Sequence, residues 1–315
     1  MIAVWMDEVG GPEVLVARET PDPVPGPGEV LVDVAVASIT FVETQVRGGR
    51  GPFPAAPPVI PGNGVGGVVR SVGPAGDPGL VGRRVVTTTG GSGGYASLVA
   101  VPADGLVAVP DGLGLDVATA LLADGRTATL LARTVAARPG ARVLVLAAAG
   151  GVGTLLVQMV GAAGAIVVGS AGGPDKLDVV RSLGAAEVVD HRVPGWAEAV
   201  EPVAVVLDGV GGPVGREAFE RVAPGGRVLR YGMASGSFTE IGPEEAAARA
   251  VTLLETGRPT PAEMGALTAS ALAEAAAGRL RPVIGQRFPL ARAADAHRAM
   301  ESRRTIGKTL LEIRR

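Results

Sequence analysis

The sequence predicts an α/β protein in two parts, a small β-barrel followed by a doubly wound parallel sheet. Three observations carry this. Residues 1 to about 118 are a succession of short β-like runs broken by Pro and Gly, and from Ala118 onward helical and strand patterns alternate. One buried apolar run, Val143-Leu144-Val145-Leu146, then feeds a glycine turn that opens an apolar helical stretch.

Each element has its own justification. Met1-Ile2-Ala3-Val4-Trp5 reads as a strand rather than a signal peptide. Residues 30–36 alternate, as a half-buried strand does, and 67–72, 84–87 and 96–101 are further β-like runs. The Gly- and Pro-rich stretches 48–64 and 90–94 are the loops expected to move most. In the second part a helix through Leu131 precedes strands at 143–146, 166–168, 204–207 and 227–231, with helices between. An alanine-rich helix near 262–277, a strand near 283–288, a helix near 291–302 and a strand at 308–313 follow, the last expected to return to the barrel. The expected domains are 1–118 completed by 289–315, and 119–288.

Composition narrows the function. A chain of 315 residues is long for one core and suggests two domains. A net charge of −2 and a pI near 5.8 argue against nucleic acid as the main partner. No apolar run reaches the length of a membrane span, so the cytoplasm is the expected location. The absence of cysteine excludes disulfides, thiolate catalysis and cysteine-ligated zinc.

The glycine turn supplies the chemistry. Ala148-x-Gly150-x-x-Gly153 is the dinucleotide fingerprint with alanine in first place. Gly150 lets the backbone approach a pyrophosphate and Gly153 lets helix and strand pack closely. The N–H groups of the first helical turn, among Ala149, Gly151 and Val152, attract the phosphate charge. Leu155, Leu156, Met159 and Val160 form the apolar face of the next helix, which Gly161 to Gly164 end. A cofactor with a bare 2′-hydroxyl calls for Asp or Glu at the end of the following strand, yet the chain offers Gly169-Ser170-Ala171-Gly172-Gly173. That composition favours a 2′-phosphate, with Ser170 donating and Lys176, one of two lysines, neutralising; Arg181 and His191 are further candidates. Lys176 is otherwise a solvated helix charge, and Asp175 stands close enough in sequence to play the missing acid. NADPH is therefore expected, with NADH as the alternative.

The motifs, taken together, resemble the medium-chain dehydrogenase/reductase superfamily, and within it the zinc-free quinone oxidoreductases related to zeta-crystallin. The resemblance spans nearly the whole chain: Gly10-Gly11-Pro12-Glu13-Val14-Leu15, residues 25–32, Val59-Ile60-Pro61-Gly62, Gly94-Tyr95-Ala96, Val101-Pro102-Ala103-Asp104, residues 148–153, Leu183-Gly184-Ala185, Asp208-Gly209-Val210-Gly211-Gly212 and Gly307-Lys308. It implies a GroES-like catalytic barrel, a Rossmann domain, a nucleotide in the cleft between them and a homodimer. Catalytic zinc in this superfamily needs Cys, His-Glu and a further Cys or acid, but the matching stretches read Ser38-Ile39-Thr40-Phe41-Val42 and Gly62-Asn63-Gly64. His191 and His297 are expected at the surface or at caps rather than as ligands. Neither Tyr95 nor Tyr231 is followed four residues later by the lysine of short-chain dehydrogenases.

The resemblance also assigns residues. Substrate contacts come from the loop 37–47, where relatives usually carry Asn in place of Thr40, Asp in place of Glu43 and often Tyr in place of Gln45. The family's Pro-Gly-x-Glu becomes Pro61-Gly62-Asn63-Gly64, which removes a buried carboxylate, and its Gly-x-Thr-Ala turn becomes Gly125-Arg126-Thr127-Ala128. Thr127 is then expected at the nicotinamide, Val210 and Gly211 near its ribose, Met233 and Ala234 beneath it, and Arg303 near the cofactor on the C-terminal helix. The plain alternatives are a helix cap for Thr127, a strand residue for Val210, core filling for Met233 and a solvated charge for Arg303. The chemistry implied is hydride transfer to a small-molecule quinone or α,β-unsaturated carbonyl, with Thr40, Tyr95 and Arg126 as candidate donors to the oxyanion. A dedicated enoyl or enone reductase is the alternative, favoured by the altered loop. A non-catalytic NADPH-binding structural or RNA-binding relative is the other, and 3% aromatic content argues against RNA stacking.

Overall fold

Valine-rich extended segments open the chain, as β-branched side chains suit a pleated surface. The computed structural model describes residues 1–51 and 53–313. Pro52 of the 48–64 loop and the last two residues of the 289–315 segment lie outside the described residues. β1 (Ile2–Met6) pairs antiparallel with β2 (Leu15–Glu19). β3 (Glu29–Ile39) is the axis of a seven-stranded sheet. After it come the short helix α1 (Phe41–Arg47), then β4 (Gly64–Val72) and β5 (Arg84–Thr88) in antiparallel register. β6 (Leu98–Pro102) pairs with residues 29–33 and β7 (Val107–Ala108) with β5. Val30, Val32, Val34, Val65, Val69, Val85, Val99 and Tyr95 fill the core of this unit.

The helix α2 (Leu115–Val135) follows, and the division between two compact units falls inside it, at Arg126 and Thr127. The second unit, Thr127–Arg258, alternates strand and helix: β8 (Arg142–Val145), α3 (Gly151–Ala162), β9 (Ile166–Ala171), α4 (Pro174–Ser182), β10 (Glu187–Asp190), β11 (Val203–Asp208), α5 (Gly212–Phe219), β12 (Val222–Arg230), α6 (Pro243–Ala248) and β13 (Thr252–Leu254). All six strands are parallel in the order β10-β9-β8-β11-β12-β13. That is the doubly wound order, reversing direction between β8 and β11. Helices on both faces explain why Val143, Leu144, Val145, Val205, Val206 and Leu207 are buried without alternation.

The chain then returns to the first unit through α7 (Pro261–Ala276), β14 (Ile284–Pro289), α8 (Ala293–Glu301) and β15 (Lys308–Glu312). β15 lies antiparallel to β3, the expected return to the barrel. The expected boundary at 288 is corrected: residues from Pro259 onward belong to the barrel unit. The reason is pairing and packing, since β14 runs parallel to β15 and Thr268 of α7 donates to the Leu122 carbonyl of α2 at 3.4 Å. Strands β10 and β13 were not foreseen, and β9 extends past 168 because small residues, Gly169-Ser170-Ala171, continue it in a buried setting.

Candidate active site

In the parallel-sheet unit the loops leaving the carboxyl ends of β8, β9, β11 and β12 hold the expected cofactor residues, the edge at which such sheets bind ligands. After β8, Ala147 adopts φ 52°, and Gly150 N–H returns to the Ala147 carbonyl at 2.8 Å. Gly150 caps α3, so the N–H groups of Gly151, Val152 and Gly153 have no carbonyl four residues back and face outward from the helix start. A Cβ on Gly153 would lie 2.1 Å from the Ala147 oxygen and 2.8 Å from Ala148 Cα. At Gly150 the single close atom would be the Ala147 oxygen at 3.2 Å. Gly153 is thus demanded by the fold, whereas Gly150 leaves room on the ligand side.

At the end of β9, the buried Ser170 Oγ lies 3.0 Å from His191 Nδ1. Burial lowers the His191 pKa, and the neighbouring cations Lys176 and Arg192 lower it further against the pull of Asp190. Arg192, which sequence reasoning missed, lies over the Gly172-Gly173 turn: its Nη2 would be 2.7 Å from a Cβ on Gly173. Asp190 holds it through contacts of 3.0 and 2.8 Å, and that pairing keeps the carboxyl at about 2. The signal was a basic residue two positions after the acid that ends the third strand of this unit. The acid of this edge therefore ends β10, not β9, while Asp175 is exposed on α4. Arg181 is corrected as a phosphate candidate: it pairs with Asp178 at 2.6 Å on the exposed face of α4.

The loops after β11 and β12 are joined. Ser235 N–H donates to the Val210 carbonyl at 2.8 Å and Ala234 N–H to the Gly209 carbonyl at 3.4 Å, which brings Val210 and Gly211 beside Met233 and Ala234. The buried Asp208, also missed, organises the turn. Its Oδ1 accepts from Val210 N–H at 2.9 Å and Gly211 N–H at 2.8 Å, and its Oδ2 from Thr239 Oγ1 at 2.5 Å. Gly211 has φ 74°, and a Cβ there would strike the Ser237 oxygen at 2.0 Å. An acid ending an apolar strand before a Gly-x-Gly-Gly run was its legible signal. Thr127 is no cap: it is half-buried inside α2.

In the barrel unit, the 37–47 loop is the end of β3 and the helix α1, with Thr40 as N-cap. Glu43 folds back on it. Thr40 N–H reaches Glu43 Oε2 at 2.5 Å, Thr40 Oγ1 is 3.1 Å from the same oxygen, and Asn63 N–H donates to Oε1 at 2.8 Å. The 61–64 stretch has no carboxylate of its own, and Glu43, at the position where relatives usually carry Asp, holds the backbone of Asn63. Burial raises its pKa, against its hydrogen bonds and the charge of Lys308.

Tyr95 is corrected as a substrate-facing donor. It is fully buried in the barrel core with its hydroxyl 2.9 Å from His297 Nε2, and the rings meet edge-on at 5.7 Å. His297, expected at the surface, has no exposed area because α8 packs its apolar face on the barrel. Burial holds the Tyr95 hydroxyl well above its ordinary pKa and pushes His297 down to about 3. Arg126 is half-buried, with Asp124 offsetting the downward pull of burial on its pKa. Asp124 also accepts from the buried Lys308 ammonium at 2.9 Å. Arg303 sits two residues past the end of α8 rather than on it, at φ 57°, with its guanidinium 4.0 Å above the Phe41 ring. Among the described residues no three or more His, Cys, Asp or Glu cluster to hold a metal, and no helix is long and apolar enough to cross a membrane.

Comparison with known proteins agrees with these features. Residues 26–111 match the alcohol dehydrogenase GroES-like domain family, and residues 183–311 the family described as zinc-binding dehydrogenase. The chain is 34% identical over 314 residues to a quinone oxidoreductase of Pseudomonas aeruginosa, covering 96% of each. It is 31% identical to a 2-haloacrylate reductase of a Burkholderia species, covering 99% of this chain and 98% of that one. Among solved structures, the Escherichia coli quinone oxidoreductase complexed with NADPH superposes with a TM-score of 0.90 at 27% identity, covering 99% of this chain and 100% of that one.

Proposed function

The chain belongs to the zinc-free quinone oxidoreductase family of medium-chain dehydrogenases/reductases, and from that premise we propose that it reduces quinones or α,β-unsaturated carbonyls with NADPH and without zinc. One observation carries the cofactor: the glycine turn lies beside a strand end that has no acid but has Ser170, His191 and Lys176. This donor set fits a 2′-phosphate, as the Ser170 hydroxyl and the His191 ring can donate hydrogen bonds and the Lys176 ammonium neutralises charge. The cofactor, when bound, supplies the hydride. The first turn of α3 binds the pyrophosphate, and the joined loops at Val210, Gly211, Met233 and Ala234 with Thr127 orient the nicotinamide end. Thr40 and Arg126 stand as donors to the oxyanion that forms when the acceptor is reduced. Zinc-independence rests on the lack of any cysteine and of a clustered ligand set among the described residues. We also infer a homodimer and, from the use of NADPH, an intracellular location; light scattering tests the first.

The test is NADPH oxidation by the purified protein with a naphthoquinone and with a cyclic enone, each repeated with NADH and with a chelator. Chelator-insensitive turnover preferring NADPH is the expected result, and silence with both acceptors overturns the reading. Arg126→Leu should cut turnover by about 100- to 1000-fold while NADPH binding holds, as loss of one oxyanion donor does; equal loss of both removes Arg126 from this role. Turnover of the enone alone selects a dedicated enone reductase, which the altered 37–47 loop favours.

A further inference from the structure

We propose that Glu43 is the internal acid of the substrate loop, passing a proton to Thr40 as Thr40 passes its own to the oxygen of the reduced acceptor. The proposal rests on the reductase reading, in which Thr40 faces the acceptor. Two contacts of the Glu43 carboxyl have fixed donors, the backbone N–H groups of Thr40 and Asn63. A third, Oε2 to Thr40 Oγ1 at 3.1 Å, joins two groups that can each carry the proton. With Glu43 ionised, the Thr40 hydroxyl must donate inward. With Glu43 protonated, the carboxyl becomes the donor and the Thr40 proton is released toward a ligand.

The surroundings act on the carboxyl in both directions. Burial is the largest influence and raises the Glu43 pKa, while the backbone N–H groups of Thr40 and Asn63 and the Thr40 hydroxyl favour the carboxylate. From β15 the charge of Lys308 also opposes burial, but that ammonium is paired with Asp124 at 2.9 Å, which blunts its pull. From the segment before β6, the Tyr95 hydroxyl lies within hydrogen-bond reach of Glu43 and stays neutral, backed by neutral His297 on α8. Arg47, on the same helix as Glu43, is tied to Glu301.

The step balances. The acceptor carbon gains a C–H bond from the hydride, and an electron pair moves to the acceptor oxygen. The Thr40 O–H bond breaks toward that oxygen, and the Glu43 carboxyl proton replaces it on Oγ1. Water reprotonates the carboxylate after product leaves. NADPH is oxidised, the acceptor gains two electrons, and one proton is drawn from solvent. Glu43 acts through Thr40 and does not touch the acceptor.

The experiment compares wild type with Glu43→Gln, which keeps size and an acceptor oxygen but has no acidic proton. Expected are an approximately 100-fold loss of kcat, an unchanged Kd for NADPH, and loss of the alkaline limb at which wild-type kcat falls as Glu43 ionises. Thr40→Val should give a similar loss, Thr40→Ser should retain most activity, and Glu43→Gln combined with Thr40→Val should be no worse than either alone. Independently of turnover, infrared spectroscopy of the unliganded protein at pH 7 should show a protonated-carboxyl band that is missing in Glu43→Gln. Retained kcat and alkaline limb in Glu43→Gln, or a carboxylate spectrum throughout pH 5–8, overturns the proposal. Silence of the wild type overturns the reductase reading instead.

Discussion

His297 and Tyr95 are both without exposed surface, and the histidine has one ring nitrogen, Nδ1, without a hydrogen-bond partner. A neutral ring tolerates this better than an imidazolium would, and burial moves its pKa from 6.5 to about 3. The unfolded chain therefore binds a proton between those values that the folded one refuses. This stability is fully present above about 6.5 and drains as pH falls toward 3. Moving from pH 7 to pH 5 should cost about 2 kcal/mol from this residue alone. Urea unfolding of wild type and His297→Gln at both pH values checks it: the variant should be less stable at pH 7 but should lose that much less on acidification. An unchanged pH slope in the variant assigns the acid sensitivity elsewhere. Tyr95 was drawn from the sequence as a substrate donor because a tyrosine hydroxyl is good at that task; nothing in the linear chain shows that residue 297 lies against it, 202 positions away.

At the scale of elements, the turn between β8 and α3 was fully legible, because its requirements are local. Strand, turn and helix start lie within a dozen residues, and the glycines answer to backbone atoms of that same segment. The two glycines nevertheless do different work. Gly153→Ala puts a Cβ against the Ala147 oxygen and the Ala148 backbone, so strand and helix must part. A loss of about 2–4 kcal/mol is expected, in the range of severe packing defects. Gly150→Ala meets only one oxygen at 3.2 Å and should melt close to wild type while binding NADPH more weakly. Thermal melting and cofactor titration of both variants separate the roles; similar melting of the two would remove the distinction. The short strands β10 and β13 were missed because four and three residues are too few for a periodic pattern to register. The helix α8 was legible as an amphipathic segment, but its docking through His297 to Tyr95 and through Glu301 to Arg47 was not.

For the whole molecule, the second unit is one continuous segment, Thr127–Arg258, set into a first unit made of two pieces. Cofactor binding stabilises the folded chain by an amount set by its affinity, about 2.7 kcal/mol at a hundredfold excess over Kd. NADPH should therefore raise the melting temperature of the full chain more than equimolar NADH, and Lys176→Ala should shrink the NADPH increment toward that of NADH. Equal increments in wild type would contradict the phosphate reading of Ser170, Lys176 and His191. By itself the sequence determined the class of fold, the glycine turn, the acid-free end of β9 and the missing zinc ligands. Each of these depends on residues near one another in the chain, where spacing and side-chain chemistry act directly. Only the tertiary structure decided that residues 259–288 belong with the barrel, that Arg192 lies over the Gly172-Gly173 turn, that Tyr95 faces His297, and that Glu43 holds the backbone of Asn63. Those outcomes depend on sheet pairing, burial and turn geometry, which arise only when distant segments close on one another and exclude water.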